Sequence, residues 1–498
     1  MPFGIARDDG IRSGVDIKSF LLSAYLGTIV EGFSGPRDDM TESAIAEPAA
    51  GLAPSGKRPR TFFGEPIGLA YLAFTEAWER FSYYGMTAIL VLYLTQSLLL
   101  SGHVENIAGY ATFHRSLEAV FGPMTTLATA SQIVGLYTGF IYFTPVLGGL
   151  VADRWLGHRH AVMLGAVLMS AGHLAMAFDV SFLLALALLI VGCGLLKGNI
   201  STQVGELYSE ADREGRTRAF TIFSIGINVG AVTGPLLCGL LAQLYGWHAG
   251  FGLAGVLMLA GLVTYISGYR HFPAERPTAR NREKSAPLSR KEKLTVFALV
   301  ITALLTTFQS IAYYQNTNIN LIWIDQYVDM DVLGFHVPVA WFNSVDSLVS
   351  ILAVPALLML WRRQAVRGVE PGDLGKIATG AMIAAAANLL LVGGCLAGGR
   401  ISILYPLVYD ILLGIAFLYY WPTTLALISR AAPIPVRATL MGAVFLSLFI
   451  GDFIVGWLGG FYESMTPAAF WTLHAGIAAT GGILAVILKR PLKPLLGL

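Results

Sequence analysis

Three charged residues stand close together in an otherwise apolar run: Glu76, Glu79 and Arg80. Each ionised side chain at the centre of a membrane-spanning helix costs roughly 2.5–3.5 kcal/mol on insertion scales. Their spacing places all three on one face of a helix, and Tyr83 and Tyr84 extend that face by one turn. Because two carboxylates beside one guanidinium do not both stay ionised away from water, the cluster is a candidate proton acceptor. The alternative is a buried ion pair that only fixes helix packing.

Lys197 is the other basic residue inside a predicted span. It either extends to the cytoplasmic interface or faces a central cavity, where it would pair with Glu79 or meet an anionic group of a substrate. Asn199, Ser201 and Gln203 continue a polar face on the same segment. Because lipid would not favour such a face, we expect Lys197 to point into a cavity.

A glycine-rich segment, residues 148–157, contains the pair Asp153 and Arg154 at the cytoplasmic end of the second predicted span. The glycines permit close approach of helices, and an Asp/Arg pair in a tight turn can brace a neighbouring helix end. We predict that Asp153 and Arg154 act in conformational gating rather than in substrate contact. The alternative is an ordinary charged loop.

The elements that must position these residues are membrane-spanning helices. Of the 498 residues, 55% are hydrophobic and 13% are charged, whereas a soluble domain carries about 25% charged residues. This composition excludes a soluble enzyme, and it predicts an all-α integral membrane protein with twelve transmembrane helices. The predicted spans are 66–99, 128–150, 160–178, 182–204, 218–243, 248–268, 294–324, 338–361, 375–397, 401–429, 437–460 and 468–488.

The distribution of Lys and Arg predicts that both termini are cytoplasmic. We expect residues 1–62 to form a poorly ordered cytoplasmic tail and residues 269–293 a basic cytoplasmic linker. The linker separates an N-terminal six-helix bundle (63–268) from a C-terminal six-helix bundle (294–498). Two such bundles that meet at a midplane cavity are typical of secondary transporters.

Several classes of function are not indicated. The three cysteines lie in apolar stretches without ligand spacing, and the nine histidines are scattered, so we expect no metal site and no catalytic residues. No phosphate-binding G-x-x-x-x-G-K-[ST] motif occurs in the sequence. A net charge of +2 over the whole chain gives no reason to expect a nucleic-acid partner.

Five motifs in the first half of the chain resemble those of the proton-coupled oligopeptide transporter (POT/PTR) family, within the major facilitator superfamily. Residues 76–85 are similar to E-x-x-E-R-F-x-Y-Y-G, and residues 148–157 to the superfamily's G-G-x-x-A-D-R-x-x-G loop. Residues 197–201 resemble K-P-N-I-S with glycine for proline, and 227–230 resemble the fifth-helix asparagine motif. Tyr142 falls where the family has a second-helix binding tyrosine.

This resemblance implies roles for particular residues. Proton coupling would involve Glu76, Glu79, Arg80 and Lys197. A substrate carboxylate would meet Arg80 and Lys197, while Tyr83, Tyr84, Tyr142 and Asn228 would line the cavity. Peptide and proton would enter the cell together, with the proton as coupling ion and no other cofactor.

The C-terminal half departs from the family pattern. Residues 338–347 resemble the eighth-helix motif P-x-x-F-Q-S-x-N-P, with Asn343 for glutamine and Asp346 for asparagine. The seventh-helix glutamate is missing beside Gln315, and Thr87 replaces an arginine that often pairs with it. In the tenth helix, Phe417 occupies the position of the glutamate that receives a peptide's amino terminus.

Phe417 offers at most a cation–π contact of about 0.5–2 kcal/mol, or it only packs. We therefore predict that Asp346 takes the glutamate's role, ahead of Asp410 and Asp452, the other acids in C-terminal spans. The predicted substrate site in this half comprises Gln315, Asn343, Asp346, Phe417 and Trp421.

The function predicted from the sequence is a proton-coupled symporter that imports di- or tripeptides by alternating access. The alternative is the same fold carrying a capped peptide or another organic anion, since the seventh- and tenth-helix glutamates are absent. A membrane-embedded enzyme or sensor is a third hypothesis. We expect a monomer in the plasma membrane, which is the inner membrane if the cell is bacterial.

Overall fold

A computed structural model describes residues 61–62, 64–209, 212–273 and 288–497. Most of the predicted tail and the central part of the predicted linker, residues 274–287, lie outside the described residues. The helices of the first half are α1 (Ile67–Tyr93), α2 (Tyr110–Phe121), α3 (Thr126–Val151), α4 (His158–Ala175), α5 (Phe182–Glu206), α6 (Arg213–Tyr245) and α7 (Trp247–Gly268). Those of the second half are α8 (Arg290–Tyr314), α9 (Ile319–Tyr327), α10 (Phe342–Leu352), α11 (Val354–Val366), α12 (Asp373–Leu396), α13 (Leu404–Ala431), α14 (Arg437–Gly459) and α15 (Pro467–Leu492).

Three two-residue strand pairs lie in the connections. Strands β1 (Thr61–Phe62) and β2 (Glu65–Pro66) form an antiparallel pair before α1. Strand β3 (Val328–Asp329) pairs in parallel with β6 (Ile401–Ser402), and β4 (Asp331–Val332) pairs antiparallel with β5 (Phe335–His336). These pairs fix loops at the helix ends and leave the fold helical.

The helices agree closely with the predicted spans. Within the described ranges, nine helices are long and apolar enough to cross a membrane, and α10 with α11 makes a tenth span that is bent by 44°. The remaining two predicted spans coincide with α1, which carries the charged cluster, and with α4. The sequence did not predict α2, nor the 3-10 turn Gln315–Thr317 that separates α8 from α9.

Packing groups the helices by sequence half. In the first half α1 packs on α6 and α7, and α5 packs on α3 and α4; in the second, α12 packs on α13 and α15, and α8 packs on α14 and α15. The halves meet mainly through α3 with α14 and α6 with α10.

Hydrogen bonds join the halves toward the end of the molecule that the predicted orientation places outside. Trp341 Nε1 donates to the carbonyl of Leu236 (2.9 Å), and Ser344 donates to Val232 (2.8 Å). Gln96 donates to Asp325 (2.8 Å). These contacts hold this end of the molecule closed.

Candidate functional site

A cavity of about 160 Å³ lies between the two helix groups. It is lined by side chains of α1, α3, α6, α8, α10 and α13, together with the turn after α8. Hydroxyl, phenol and amide groups dominate its wall. The predicted substrate residues that line it are Tyr83, Tyr84, Tyr142, Asn228, Asn343, Asp346 and Phe417.

The charged cluster of α1 is buried next to this cavity. Glu76, Glu79 and Arg80 are at most 3% exposed. Arg80 makes a bidentate contact with Glu79, in which Nη2 donates to Oε1 (2.6 Å) and Nε donates to Oε2. Glu76 Oε1 lies 3.2 Å from Arg80 Nε, while Glu76 Oε2 has no hydrogen-bond partner. One carboxylate thus balances the guanidinium, and the second has capacity to bind a proton.

Arg80 also connects this cluster to the cavity wall, because its guanidinium carbon lies 5.3 Å from the ring centre of Tyr83. Tyr83 and Tyr84 contact each other edge to face, with ring centres 5.0 Å apart. Only the side chain of Tyr83 therefore separates the charged cluster from a ligand bound in the cavity.

Lys197 lies behind the cavity wall, next to Tyr142, and is not itself one of the residues that line the cavity. Its Nζ is 4.8 Å from the ring centre of Tyr142, and it is only partly exposed. The hydroxyls of Tyr142 and Tyr314 are 3.0 Å apart, so a polar contact crosses from the first half to the second. The N-terminal side of the site therefore carries two cations, Arg80 and Lys197.

Asp346 of α10 is the carboxylate that lines the cavity from the C-terminal side, and it is 7% exposed. Tyr313 donates its hydroxyl to Asp346 Oδ2. Asn316 Nδ2 lies at 3.5 Å from the same oxygen, and Ser347 donates to Oδ1 (3.3 Å). Neutral groups surround this carboxylate, so its charge is available to a cationic ligand.

Four predicted substrate residues are not among those that line the cavity: Arg80, Lys197, Gln315 and Trp421. Gln315 is fully buried behind it, where its Nε2 lies 3.2 Å from the carbonyl of Val455 and 3.0 Å from His474 Nε2. The cause is the 3-10 turn at the end of α8, which directs Gln315 toward α14 and α15. Trp421 stands one turn beyond Phe417 and stacks on it at 6.5 Å.

Asp153 and Arg154, the predicted gating residues, lie away from the cavity. Both are exposed on a π-helical turn, Ala152–Leu156, which continues α3. Asp153 Oδ1 is 3.7 Å from His158 Nε2 at the start of α4. Their predicted role in gating stays a prediction.

Two cavity residues that sequence reasoning did not assign are Tyr313 and Tyr314. Their rings contact edge to face at 5.0 Å, like the rings of Tyr83 and Tyr84. The sequence does contain an indication of their role, since a Tyr-Tyr pair occurs in the first helix of each bundle. Phe417 stacks on Tyr313 with ring centres 5.3 Å apart and completes this aromatic wall.

Two groups of spanning helices around a polar cavity define the class of protein as a secondary transporter of the major facilitator type. The model of the POT family matches residues 159–289 and 286–472 of the chain. The chain belongs to the POT family.

Two relatives and one solved structure are similar to this chain over most of their length. The di-/tripeptide transporter of Lactococcus lactis subsp. cremoris is 30% identical over 515 residues, covering 89% of this chain and 98% of the relative. The peptide transporter YePEPT of Yersinia enterocolitica subsp. palearctica serotype O:3 (strain YE-P4) is 28% identical over 520 residues, covering 88% and 96%. A crystal structure of the peptide transporter POT in complex with sulfate superimposes with a TM-score of 0.77 at 26% identity, covering 88% of this chain and 97% of that one.

Proposed function

We propose that this protein is a proton-coupled symporter that imports di- and tripeptides by alternating access. The observation that carries the proposal is the distribution of charge around the cavity. Two cations, Arg80 and Lys197, lie directly behind the lining tyrosines Tyr83 and Tyr142 on one side. One carboxylate, Asp346, lines the cavity on the other side. A peptide with free termini has the complementary charges. The names of the two curated relatives, which are peptide transporters, support the same substrate class.

The peptide would bind with its carboxylate toward Arg80 and Lys197 and its ammonium toward Asp346. The phenols of Tyr142 and Tyr314 and the amide of Asn343 would donate to or accept from the peptide bond. Asn343 Nδ2 is buried without a hydrogen-bond partner, so a donor is ready for a peptide carbonyl. Phe417 would provide an apolar surface for a side chain.

Proton coupling would arise at the cluster of α1. In the structure, Glu79 neutralises Arg80. A proton bound by the cluster would loosen this ion pair and free Arg80 to attract the peptide carboxylate. Peptide binding and proton binding would then favour each other, which is the requirement for symport.

A second candidate substrate is a capped peptide or another organic anion. Phe417 favours it, because this aromatic side chain lines the cavity where the resemblance predicts a glutamate for the ammonium. In that case Arg80 and Lys197 would hold the anion and Asp346 would have no role in binding.

The protein would act as a monomer in the plasma membrane, with both termini in the cytoplasm. The test of function is uptake of radiolabelled dialanine by proteoliposomes under an inward proton gradient, with unlabelled dialanine and N-acetyl-dialanine as competitors. We expect accumulation that collapses with an uncoupler and is blocked by dialanine alone. Block by N-acetyl-dialanine to the same extent would favour the second candidate. Absence of gradient-dependent uptake would contradict the proposal.

A further inference from the structure

The contact between α3 and α14 brings the backbones of the two bundles into direct contact through glycines. A Cβ added at Gly135 would lie 2.5 Å from the carbonyl oxygen of Asp452 and 2.8 Å from Cα of Gly456. A Cβ added at Gly456 would lie 3.0 Å from Cα of Gln132. Ser131 donates to the carbonyl of Gly456 (3.0 Å). We call this contact the outer seam, and it must separate if the cavity is to open to the outside.

Asp452 is a buried acid within the outer seam. It is 1% exposed, and its Oδ2 has no hydrogen-bond partner. No Lys, Arg or His among the described residues lies within 4.0 Å of its carboxyl group. Across the seam, Gln132 is fully buried and both polar atoms of its amide lack partners. An ionised carboxylate without a cation at such a place costs several kcal/mol, whereas a neutral carboxyl group costs far less.

The environment of Asp452 links it to the cavity. Its side chain lies beside Thr138 of α3, which lines the cavity wall. The titratable side chains that face Asp452 from the surrounding helices are Tyr83 of α1, Tyr142 of α3, Tyr314 of α8 and Tyr420 of α13. Beyond the outer end of α14, the carboxylate of Glu463 accepts a hydrogen bond from Thr125. None of these groups supplies a positive charge to Asp452.

We propose that Asp452 is a second protonation site of the transport cycle and that its neutral form is required to close the outer seam. With the seam open, the carboxylate takes a proton from external water and becomes a carboxyl group; α3 and α14 then close over it. When the cavity opens to the cytoplasm, the carboxyl group returns the proton to water beside Thr138. This proposal rests on the proton-coupled function above, and it gives the C-terminal bundle the acid that its seventh helix lacks.

The test is the distance across the outer side at different pH, measured by double electron–electron resonance without peptide. Spin labels are placed at Val180 and Leu396, which are 55% and 75% exposed at the outer ends of opposite bundles. The three native cysteines are first replaced by alanine. We expect the wild-type background to show the closed distance at mildly acidic pH and a longer distance at alkaline pH. In Asp452→Asn, the closed distance should persist at both pH values.

Asp410→Asn is the matched control. Asp410 is also 1% exposed with an unpartnered Oδ2, but it belongs to α13 and not to the seam. This variant should keep the pH response of the wild type. In vesicles, D452N should lose accumulation of dialanine driven by a proton gradient, whereas D410N should retain it.

Three results would overturn the proposal. The wild-type distance could be independent of pH, D452N could respond to pH like the wild type, or D452N could fail to fold. The last result counts because an amide reproduces the size and neutrality that the closed seam needs. Since the distance measurement uses no peptide, it remains decisive if the protein carries another solute.

Discussion

Replacing Asp346 with asparagine removes the negative charge of the cavity and keeps the size of the side chain. Asp346 has three neutral neighbours, Tyr313, Asn316 and Ser347, which still have hydrogen-bonding partners in D346N. The substitution therefore removes only the attraction between the carboxylate and a bound ammonium group. Removing one partner of a buried charge pair costs about 2–5 kcal/mol. Because the neighbours of Asp346 remain satisfied, we expect the lower part of this range, about 2–3 kcal/mol, or a 30- to 150-fold weaker affinity for dialanine.

The assay is inhibition of dialanine counterflow in proteoliposomes, where no proton gradient is applied. N-acetyl-dialanine has no ammonium group, so its inhibition constant should change less than about threefold in D346N. The control is D410N, which makes the same chemical change at another buried acid that does not line the cavity. Equal weakening of both ligands, or of neither, would refute the assignment of Asp346 as the ammonium site.

Three further substitutions test other parts of the account. R80K keeps the charge but loses the bidentate contact with the neighbouring carboxylate. It should lower proton-driven uptake by about tenfold or more, while counterflow persists. Equal loss of both activities would contradict this prediction. Gly135→Ala places a Cβ 2.5 Å from the backbone of α14. Uptake should therefore fall about tenfold, and the distance between the outer spin labels should lengthen. The control is Gly149→Ala on the same helix, whose added Cβ meets nothing within 4 Å, and it should behave as wild type. Tyr142→Phe removes one hydroxyl contact worth about 0.5–1.5 kcal/mol, so the KM for dialanine uptake should rise about 2- to 10-fold. An unchanged KM would show that the Tyr142 hydroxyl does not contribute to peptide binding.

Much of the fold followed from the sequence because the length of a hydrophobic span depends on one helix at a time. The predicted spans correspond to helices of the structure, and the charged cluster of α1 is buried as its spacing required. The helix α2 was missed because it is short and lies between two spans. The break after Tyr314 was missed because a continuous apolar pattern does not register a three-residue 3-10 turn.

The site was harder to predict, since it depends on which faces of different helices meet. Gln315 and Tyr314 are adjacent in sequence, but one lies behind the cavity and the other lines it. The periodicity of a sequence shows which residues share one face of a helix, but it does not show which neighbouring helix that face contacts. One partner of Asp346, Tyr313, comes from α8, and only the packing of α8 against α10 brings its hydroxyl to the carboxylate.

The central claim is that peptide and proton cross together, and the most direct measurement is the internal pH of vesicles during peptide entry. Proteoliposomes containing a trapped pH indicator, with equal pH on both sides, would receive dialanine from outside. The account predicts that the interior acidifies when dialanine enters, and that protein-free vesicles show no change. Entry of dialanine with a constant internal pH would contradict it.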